Sequence, residues 1–124
     1  MAGIILTVVE DLIFLSKIQQ AAQLLSVHVK PVAPSQLAEE IRQSPTQAVI
    51  VDLNHRSGAA VEVVRALKAD PATRHIPIVG FVSHVQTDVA TAAQEAQCDI
   101  VLARSAFTQQ LPQLLQKLSA VPPR

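Results

Sequence analysis

The sequence predicts an α/β fold in which five strand–helix units build one parallel sheet with helices on both faces. Four apolar runs have the composition of strands buried on both faces, and amphipathic helical patterns lie between them. The runs are continuous rather than alternating, as the central strands of a parallel sheet are. The resulting order βαβαβαβαβα is typical of a doubly wound sheet, and 124 residues predict one domain.

The five predicted strands differ in strength. Residues 4–9, 48–51, 76–82 and 100–103 are the four strong runs. The weaker run, residues 27–32, contains Pro31, which cannot donate a ladder hydrogen bond. We therefore expect this strand to be short or to lie at an edge of the sheet.

The helices are predicted at residues 11–25, 36–43, 60–68, 88–97 and after Thr108. Ser35, Thr87 and Thr108 are the expected N-caps of the second, fourth and fifth helices, and Asp70-Pro71 ends the third. Pro112 then falls in the first turn of the fifth helix, where proline is tolerated. The side chains expected to face inward are Ile13, Phe14, Ile18, Ala21, Ala22 and Leu25, then Val61, Val64 and Leu67, and finally Leu111, Leu114, Leu115 and Leu118.

Composition excludes several classes of protein. The formal net charge is zero, and no basic stripe alternates with aromatic residues, so we expect no nucleic-acid partner. The apolar start of the chain is short and lacks a basic lead-in, and no apolar run approaches a membrane span. The single cysteine, Cys98, excludes an internal disulfide and is expected to be a small buried hydrophobe. These features predict a cytoplasmic protein that does not bind membranes.

Three kinds of site are disfavoured by spacing. His28, His55, His75 and His84 show no zinc-ligand spacing. The chain has three glycines, and they form no phosphate-binding loop. Ser83 lacks the glycine-flanked turn of a serine hydrolase nucleophile.

Polar residues at the strand ends indicate a different site. Ligands of open α/β sheets bind beyond the carboxyl ends of the strands. Glu10 and Asp11 follow the first strand, Asp52 ends the third, Ser83 follows the fourth and Arg104 follows the fifth. Two carboxylates about 4 Å apart repel by roughly 4 kcal/mol at a surface-like dielectric. A hard divalent cation with oxygen ligands, such as Mg²⁺, would offset that repulsion.

Four stretches, VVEDLIF, VIVDLN, LKADPATRHIPIVGFVS and CDIVLARSAF, occur in an order and spacing that resemble the receiver domain of response regulators in two-component signalling. The resemblance covers nearly the whole chain. It implies a CheY-like, flavodoxin-like sheet of order 2-1-3-4-5 and a signalling domain rather than an enzyme. The receiver-like domain is predicted at residues 1–120, and residues 121–124 are predicted to be a tail or the start of a linker.

The resemblance also implies roles for individual residues. Asp52 matches the phosphoacceptor, whose carboxylate forms an acyl phosphate. Glu10 and Asp11 match the acidic pair that holds Mg²⁺ together with Asp52, and Asn54 would contribute its backbone carbonyl. The implied partners are a histidine kinase or phosphotransfer protein, followed by an effector protein or a second copy of the chain.

Several residues match the family pattern incompletely. Ser83 matches the hydroxyl residue that closes on the phosphoryl group, but Arg104 stands where the family has lysine. An arginine brings a planar fork in place of a compact ammonium, so the exchange is not conservative. Ser105 replaces the usual proline, and Val101 replaces the aromatic residue that commonly reports the switch. His84 replaces a small residue.

The residues leave alternatives open at each position. Asp52 and Ser83 could instead satisfy loop amides at strand ends, and Arg104 could neutralise the acidic cluster without a metal. His55 and His84 would flank the site, where they could tune its response to pH. The main alternative function is a pseudo-receiver that acts as a protein-interaction module without phosphorylation. A remoter one is a flavodoxin-like protein that binds a small ligand, or an enzyme subunit.

Overall fold

The structure, a computed structural model, describes residues 3–54, 59–83 and 87–120. Strands and helices alternate along the chain. They are β1 (Ile4–Val8), α1 (Leu12–Leu24), β2 (His28–Pro31), a 3₁₀ turn (Pro34–Gln36), α2 (Leu37–Gln43), β3 (Thr46–Asp52), α3 (Ala60–Ala69), β4 (Ile78–Val82), α4 (Thr87–Glu95), β5 (Ile100–Ala103) and α5 (Arg104–Ser119). All strand pairs are parallel, in the order β2-β1-β3-β4-β5, which confirms the predicted fold class.

The core has two layers, one on each face of the sheet. Adjacent residues of the same strand belong to different layers: Ile50 packs with α1 and α5, whereas Val49 and Val51 pack with α2, α3 and α4. This double burial explains why the central strands are continuously apolar. The weaker strand β2 has four residues and lies at the edge beside β1, as the sequence predicts. Its last residue is Pro31.

The predicted inward face of α1 needs one correction. Ile13 is 75% exposed, and its neighbour Leu12 is 77% exposed. The buried face of α1 instead consists of Phe14, Leu15, Ile18 and Ala22. Because successive helical residues are rotated by about 100°, Ile13 lies well off the line through Phe14 and Ile18.

The N-cap predictions for α2 and α4 are wrong. Ser35 lies inside the 3₁₀ turn, and α2 begins at Leu37 after Gln36, which makes no side-chain cap. Thr87 is the first residue of α4 rather than the residue before it. Helix ends with weak caps are decided by tertiary packing more than by local propensity.

The N-cap prediction for α5 is wrong for a clearer reason. The helix begins at Arg104, directly after β5, and Thr108 lies inside it and donates a hydrogen bond from Oγ1 to the Arg104 carbonyl at 3.0 Å. Pro112 is therefore inside the helix and not in its first turn. The additional first turn places Phe107 in the core, where it is fully buried. Tertiary packing thus stabilises a turn that the sequence pattern alone does not reveal.

Within the described ranges, the structure contains no helix with the length and apolar character needed to cross a membrane.

Cys98 is buried, as predicted, and its thiol lies 3.5 Å from the Ile78 carbonyl oxygen and 3.3 Å from that of Ile100. Burial raises the pKa of this thiol from 9.0 to about 11. The thiol therefore ionises at lower pH in the unfolded chain than in the folded one. As the pH rises from about 9 towards 11, this difference makes folding less favourable.

We expect iodoacetamide to alkylate Cys98 much more slowly in the folded protein than in urea, because both access and the thiolate fraction are low. Since the chain has one cysteine, intact mass reports on this residue alone. Equal alkylation rates in the two states at neutral pH would contradict the prediction.

Candidate functional site

A cleft of about 610 Å³ opens at the carboxyl ends of β1, β3, β4 and β5. The residues that line it are Glu10, Asp11, Asp52, Asn54, Phe81, Ser83 and Arg104. The structure therefore brings all six site residues predicted from the sequence to one cavity. Phe81 is the lining residue that sequence analysis did not select. The feature that could have indicated Phe81 is its place one residue before the end of the apolar strand β4, where it pairs in register with Asp52.

Asp52 is the last residue of β3 and is only 6% exposed. A carboxylate that is buried must be hydrogen-bonded or paired, because its desolvation is otherwise costly. Its Oδ1 accepts a hydrogen bond from the Asn54 backbone amide at 3.0 Å. This bond to a loop amide is compatible with both a structural and a reactive carboxylate.

The Asn54 side chain joins the loop after β3 to the end of β4. Its Oδ1 accepts a hydrogen bond from the Ser83 backbone amide at 2.8 Å. The bond holds Ser83, which is half-buried, at the same end of the sheet as Asp52. This role of the side chain differs from the backbone ligand predicted for Asn54. His55 and His84, which we expected to flank the site, lie outside the described residues.

Asp11 is the N-cap of α1 and is also paired with Arg104. Its Oδ1 accepts hydrogen bonds from the amides of Ile13 at 3.0 Å and Phe14 at 3.1 Å. Its Oδ2 lies 3.0 Å from Nη2 of Arg104. The hydrogen bond from the Phe14 amide is the largest cause that lowers the pKa of this carboxyl. Desolvation opposes it, and the Arg104 charge adds to the lowering, so the pKa lies below its usual range.

Arg104 is the first residue of α5, and its guanidinium lies over an aromatic cluster. The guanidinium carbon is 4.7 Å from the ring centroid of Phe14 and 5.8 Å from that of Phe81. Phe107 completes the cluster, with ring centroids 4.9 Å from Phe81 and 5.6 Å from Phe14. All three aromatic residues of the chain therefore form one cluster, and the guanidinium lies over two of them. Arginine is suited to this place because its flat, weakly hydrated head stacks on rings.

The carboxylate oxygens that line the cleft are the kind of ligand that Mg²⁺ prefers, but their positions fit a metal site only in part. Glu10, Asp11 and Asp52 all line the cleft. Across residues 3–54, 59–83 and 87–120, however, no three His, Cys, Asp or Glu side chains form a group that could hold a metal ion. Mg²⁺ in proteins usually takes one or two carboxylates and keeps several waters. Glu10 and Asp52 supply two carboxylates for such a site. Both oxygens of Asp11 are engaged in hydrogen bonds and an ion pair, so a metal could use Asp11 only by replacing one of these partners.

No family model matches the sequence, and no curated protein matches it. Solved structures do match. A response regulator from Hahella chejuensis is 18% identical, with a TM-score of 0.81 over 94% of this chain and 95% of that one. The phosphorylated cyanobacterial phytochrome response regulator RcpA is 21% identical, with a TM-score of 0.78 over 95% of this chain and 91% of that one. The chain has the receiver-domain fold.

A third structure with this fold carries a metal. It is the receiver domain of a sensor histidine kinase from Pseudomonas aeruginosa PAO1, with a magnesium ion coordinated in its active-site cleft. It is 17% identical, with a TM-score of 0.77 over 97% of this chain and 99% of that one. The TM-scores of these matches establish the receiver fold. At identities this low, the chemistry of the site has to be argued from the residues of this chain.

The cleft lies where the receiver fold predicts a ligand site. In the order β2-β1-β3-β4-β5, the chain reverses direction across the sheet between β1 and β3. Glu10 and Asp11 follow β1, and Asp52 ends β3, so the carboxylates lie on both sides of this switch point. Doubly wound sheets bind their ligands at such a point.

Proposed function

We propose that this chain is a receiver domain of two-component signalling in which Asp52 accepts a phosphoryl group. The observation that carries the proposal is a buried carboxylate in a cleft that is also lined by a hydroxyl, Ser83, and a guanidinium, Arg104. Transfer of a phosphoryl group to a carboxylate requires a nucleophile, a hydrogen-bond donor and a cation, and these residues are of those three kinds. The fold-sharing regulator RcpA is itself phosphorylated, which supports the proposal.

The proposed reaction forms one bond and breaks one. A carboxylate oxygen of Asp52 attacks the phosphorus of the donor. The bond between phosphorus and the donor's leaving group breaks, and the leaving group departs with the electron pair. The product is an acyl phosphate on Asp52. The Arg104 guanidinium offsets negative charge on the phosphoryl oxygens, and the Ser83 hydroxyl donates a hydrogen bond to one of them.

Mg²⁺ is the cofactor we propose for this site. Glu10, Asp11, Asp52 and the Asn54 backbone carbonyl would hold it, because hard oxygen ligands suit this ion. Asp11 would have to give up its contact with Arg104 to join them. When bound, it would neutralise part of the charge on the transferring group. The magnesium ion in the cleft of the Pseudomonas aeruginosa receiver domain supports this assignment.

The proposed partners follow from the same chemistry. A histidine kinase or a phosphotransfer protein would supply the phosphoryl group, and an effector protein or a second copy of the chain would receive the signal. The domain would span residues 1–120. Residues 121–124, which we expect to be a tail or linker, lie outside the described residues.

Incubation with acetyl phosphate and Mg²⁺, followed by intact mass measurement, tests the proposal. We expect wild type to gain the mass of one phosphoryl group and Asp52→Asn to gain none. Asp88→Asn removes an exposed carboxylate from α4 and is the matched control, which should gain the group like wild type. Circular dichroism would verify that each variant is folded. An adduct that persists in Asp52→Asn would refute the assignment.

A second function, an interaction module that phosphate does not switch, is favoured by one contact. The ion pair of Arg104 with Asp11 already neutralises part of the acidic cluster from within the protein. In that case the folded wild type would remain unmodified under the same conditions. The mass measurement therefore separates the two functions.

A further inference from the structure

We propose that Arg104 is a resident cation of the cleft that competes with a divalent metal for Asp11 and thereby weakens metal binding. The metal in question is the one named in the proposed function, on which this step rests. If this is so, the affinity of the site for a divalent metal depends on the Arg104 side chain, and a substitution at this position changes it.

The carboxylate of Asp11 is the shared ligand in this competition. Its Oδ2 is 3.0 Å from Nη2 of Arg104, and its Oδ1 accepts the two amides that begin α1. A metal that binds Asp11 must therefore replace either the guanidinium or the helix cap. The guanidinium contact is the weaker obstacle, because the pair is half exposed and the cap belongs to the backbone of α1.

Two aromatic rings keep the guanidinium near Asp11. Phe14 contributes its face at 4.7 Å and Phe81 at 5.8 Å, so Arg104 has partners besides the carboxylate. Phe14 belongs to α1, as does the cap residue Asp11, and Phe81 belongs to β4. Phe14 and Phe81 thus act as positioning residues for the cation. A lysine at position 104 would keep the charge but would lose the planar stacking and the fork.

Electrostatic repulsion between the Arg104 guanidinium and a divalent cation also weakens metal binding. A guanidinium paired with Asp11 places a positive charge on the wall of the cleft that Glu10 and Asp52 also line. A divalent cation entering the cleft is repelled by that charge and finds one carboxylate fewer. Removal of Arg104 should therefore raise the affinity of the site for a divalent metal by about tenfold or more.

Mn²⁺ binding, followed by the electron paramagnetic resonance signal of the free ion, measures this affinity without phosphorylation. We expect R104A to bind Mn²⁺ at least about tenfold more tightly than wild type, and R104K to fall between them. R65A removes the same charge from an exposed pair on α3 and should bind like wild type. Unfolding in urea would confirm that each variant is folded, and R104K supplies a milder test if R104A is unstable.

A double substitution shows whether the competition acts through Asp11. Asp11→Asn removes the metal-binding charge but keeps a good N-cap residue. If Arg104 competes for Asp11, R104A should strengthen Mn²⁺ binding much less in the Asp11→Asn background than in wild type. A gain of the same size in both backgrounds would show general repulsion rather than competition.

Failure of this inference and failure of the proposed function are distinguishable. If R104A binds Mn²⁺ no more tightly than wild type, if it binds none, or if R65A gains as much, the competition is refuted whatever happens at Asp52. If R104A binds Mn²⁺ more tightly but wild type forms no adduct with acetyl phosphate, the competition stands and the phosphoacceptor assignment fails.

Discussion

Replacement of Phe107 by alanine is expected to lower the free energy of unfolding by about 3–5 kcal/mol. Phe107 is fully buried, and its ring lies 4.9 Å from that of Phe81 and 5.6 Å from that of Phe14. The residue therefore joins α5 to both β4 and α1. Loss of the ring removes apolar burial and leaves a cavity that the aromatic cluster cannot fill without moving.

Urea denaturation followed by circular dichroism measures this change. Phe107→Leu keeps most of the volume and should cost about 1 kcal/mol. Gln113→Ala changes an exposed residue of the same helix and should stay within about 0.5 kcal/mol of wild type. A loss below about 1 kcal/mol for Phe107→Ala would show that the cluster does not stabilise the fold as argued.

Replacement of Lys68 by methionine is the second large expected effect, a loss of about 2–3 kcal/mol. The Lys68 side chain is only 7% exposed, and its Nζ lies 2.6 Å from Oδ2 of Asp99. It also donates hydrogen bonds at 2.9 Å to the carbonyls of Arg74 and Ile76. Methionine keeps the length of the side chain but leaves the carbonyls and the carboxylate without this donor.

The partial exposure of Asp99 keeps the expected loss below that of a fully buried pair. Its side chain is 44% exposed, and it also accepts the Ile78 amide at 2.7 Å. Water can therefore replace part of the stabilisation that the Asp99 carboxylate loses when Lys68 is removed. Because Asp99 precedes β5 and Ile78 begins β4, the Lys68–Asp99 pair joins α3 to the amino ends of two strands.

A double-mutant cycle with Asp99→Asn isolates the ion pair from the two carbonyl bonds. We expect Lys68→Met to cost less in the Asp99→Asn background than in wild type. Arg42→Ala disrupts an exposed pair with Glu39 on α2 and is the control, with an expected change near zero. Equal costs for Lys68→Met and Arg42→Ala would contradict the argument.

The sheet and the location of the site were predictable because both depend on patterns that are local in the chain. Continuous apolar runs predicted parallel strands buried on both faces, and the structure places Ile5 and Leu6 in opposite core layers. The carboxyl ends of parallel strands share one edge, so Asp11 and Asp52 could be placed together without coordinates.

The helix ends were less predictable. Ser35, Thr87 and Thr108 all have the chemistry of an N-cap, yet none of them is the residue directly before its helix in the structure. Capping preference is worth about 1 kcal/mol, which the burial of one large side chain exceeds. At α5 the burial of Phe107 decided the start of the helix.

By itself the sequence determined the fold class, the parallel strands and the set of polar residues at their carboxyl ends. Periodicity and chain order encode these features directly. Only the tertiary structure decided that Arg104 pairs with Asp11 and stacks on Phe14 and Phe81. These partners come from elements far apart in the chain, and a guanidinium can bind a carboxylate, a phosphate or an aromatic ring. The choice among them depends on which partners the packing of α1, β4 and α5 brings within reach.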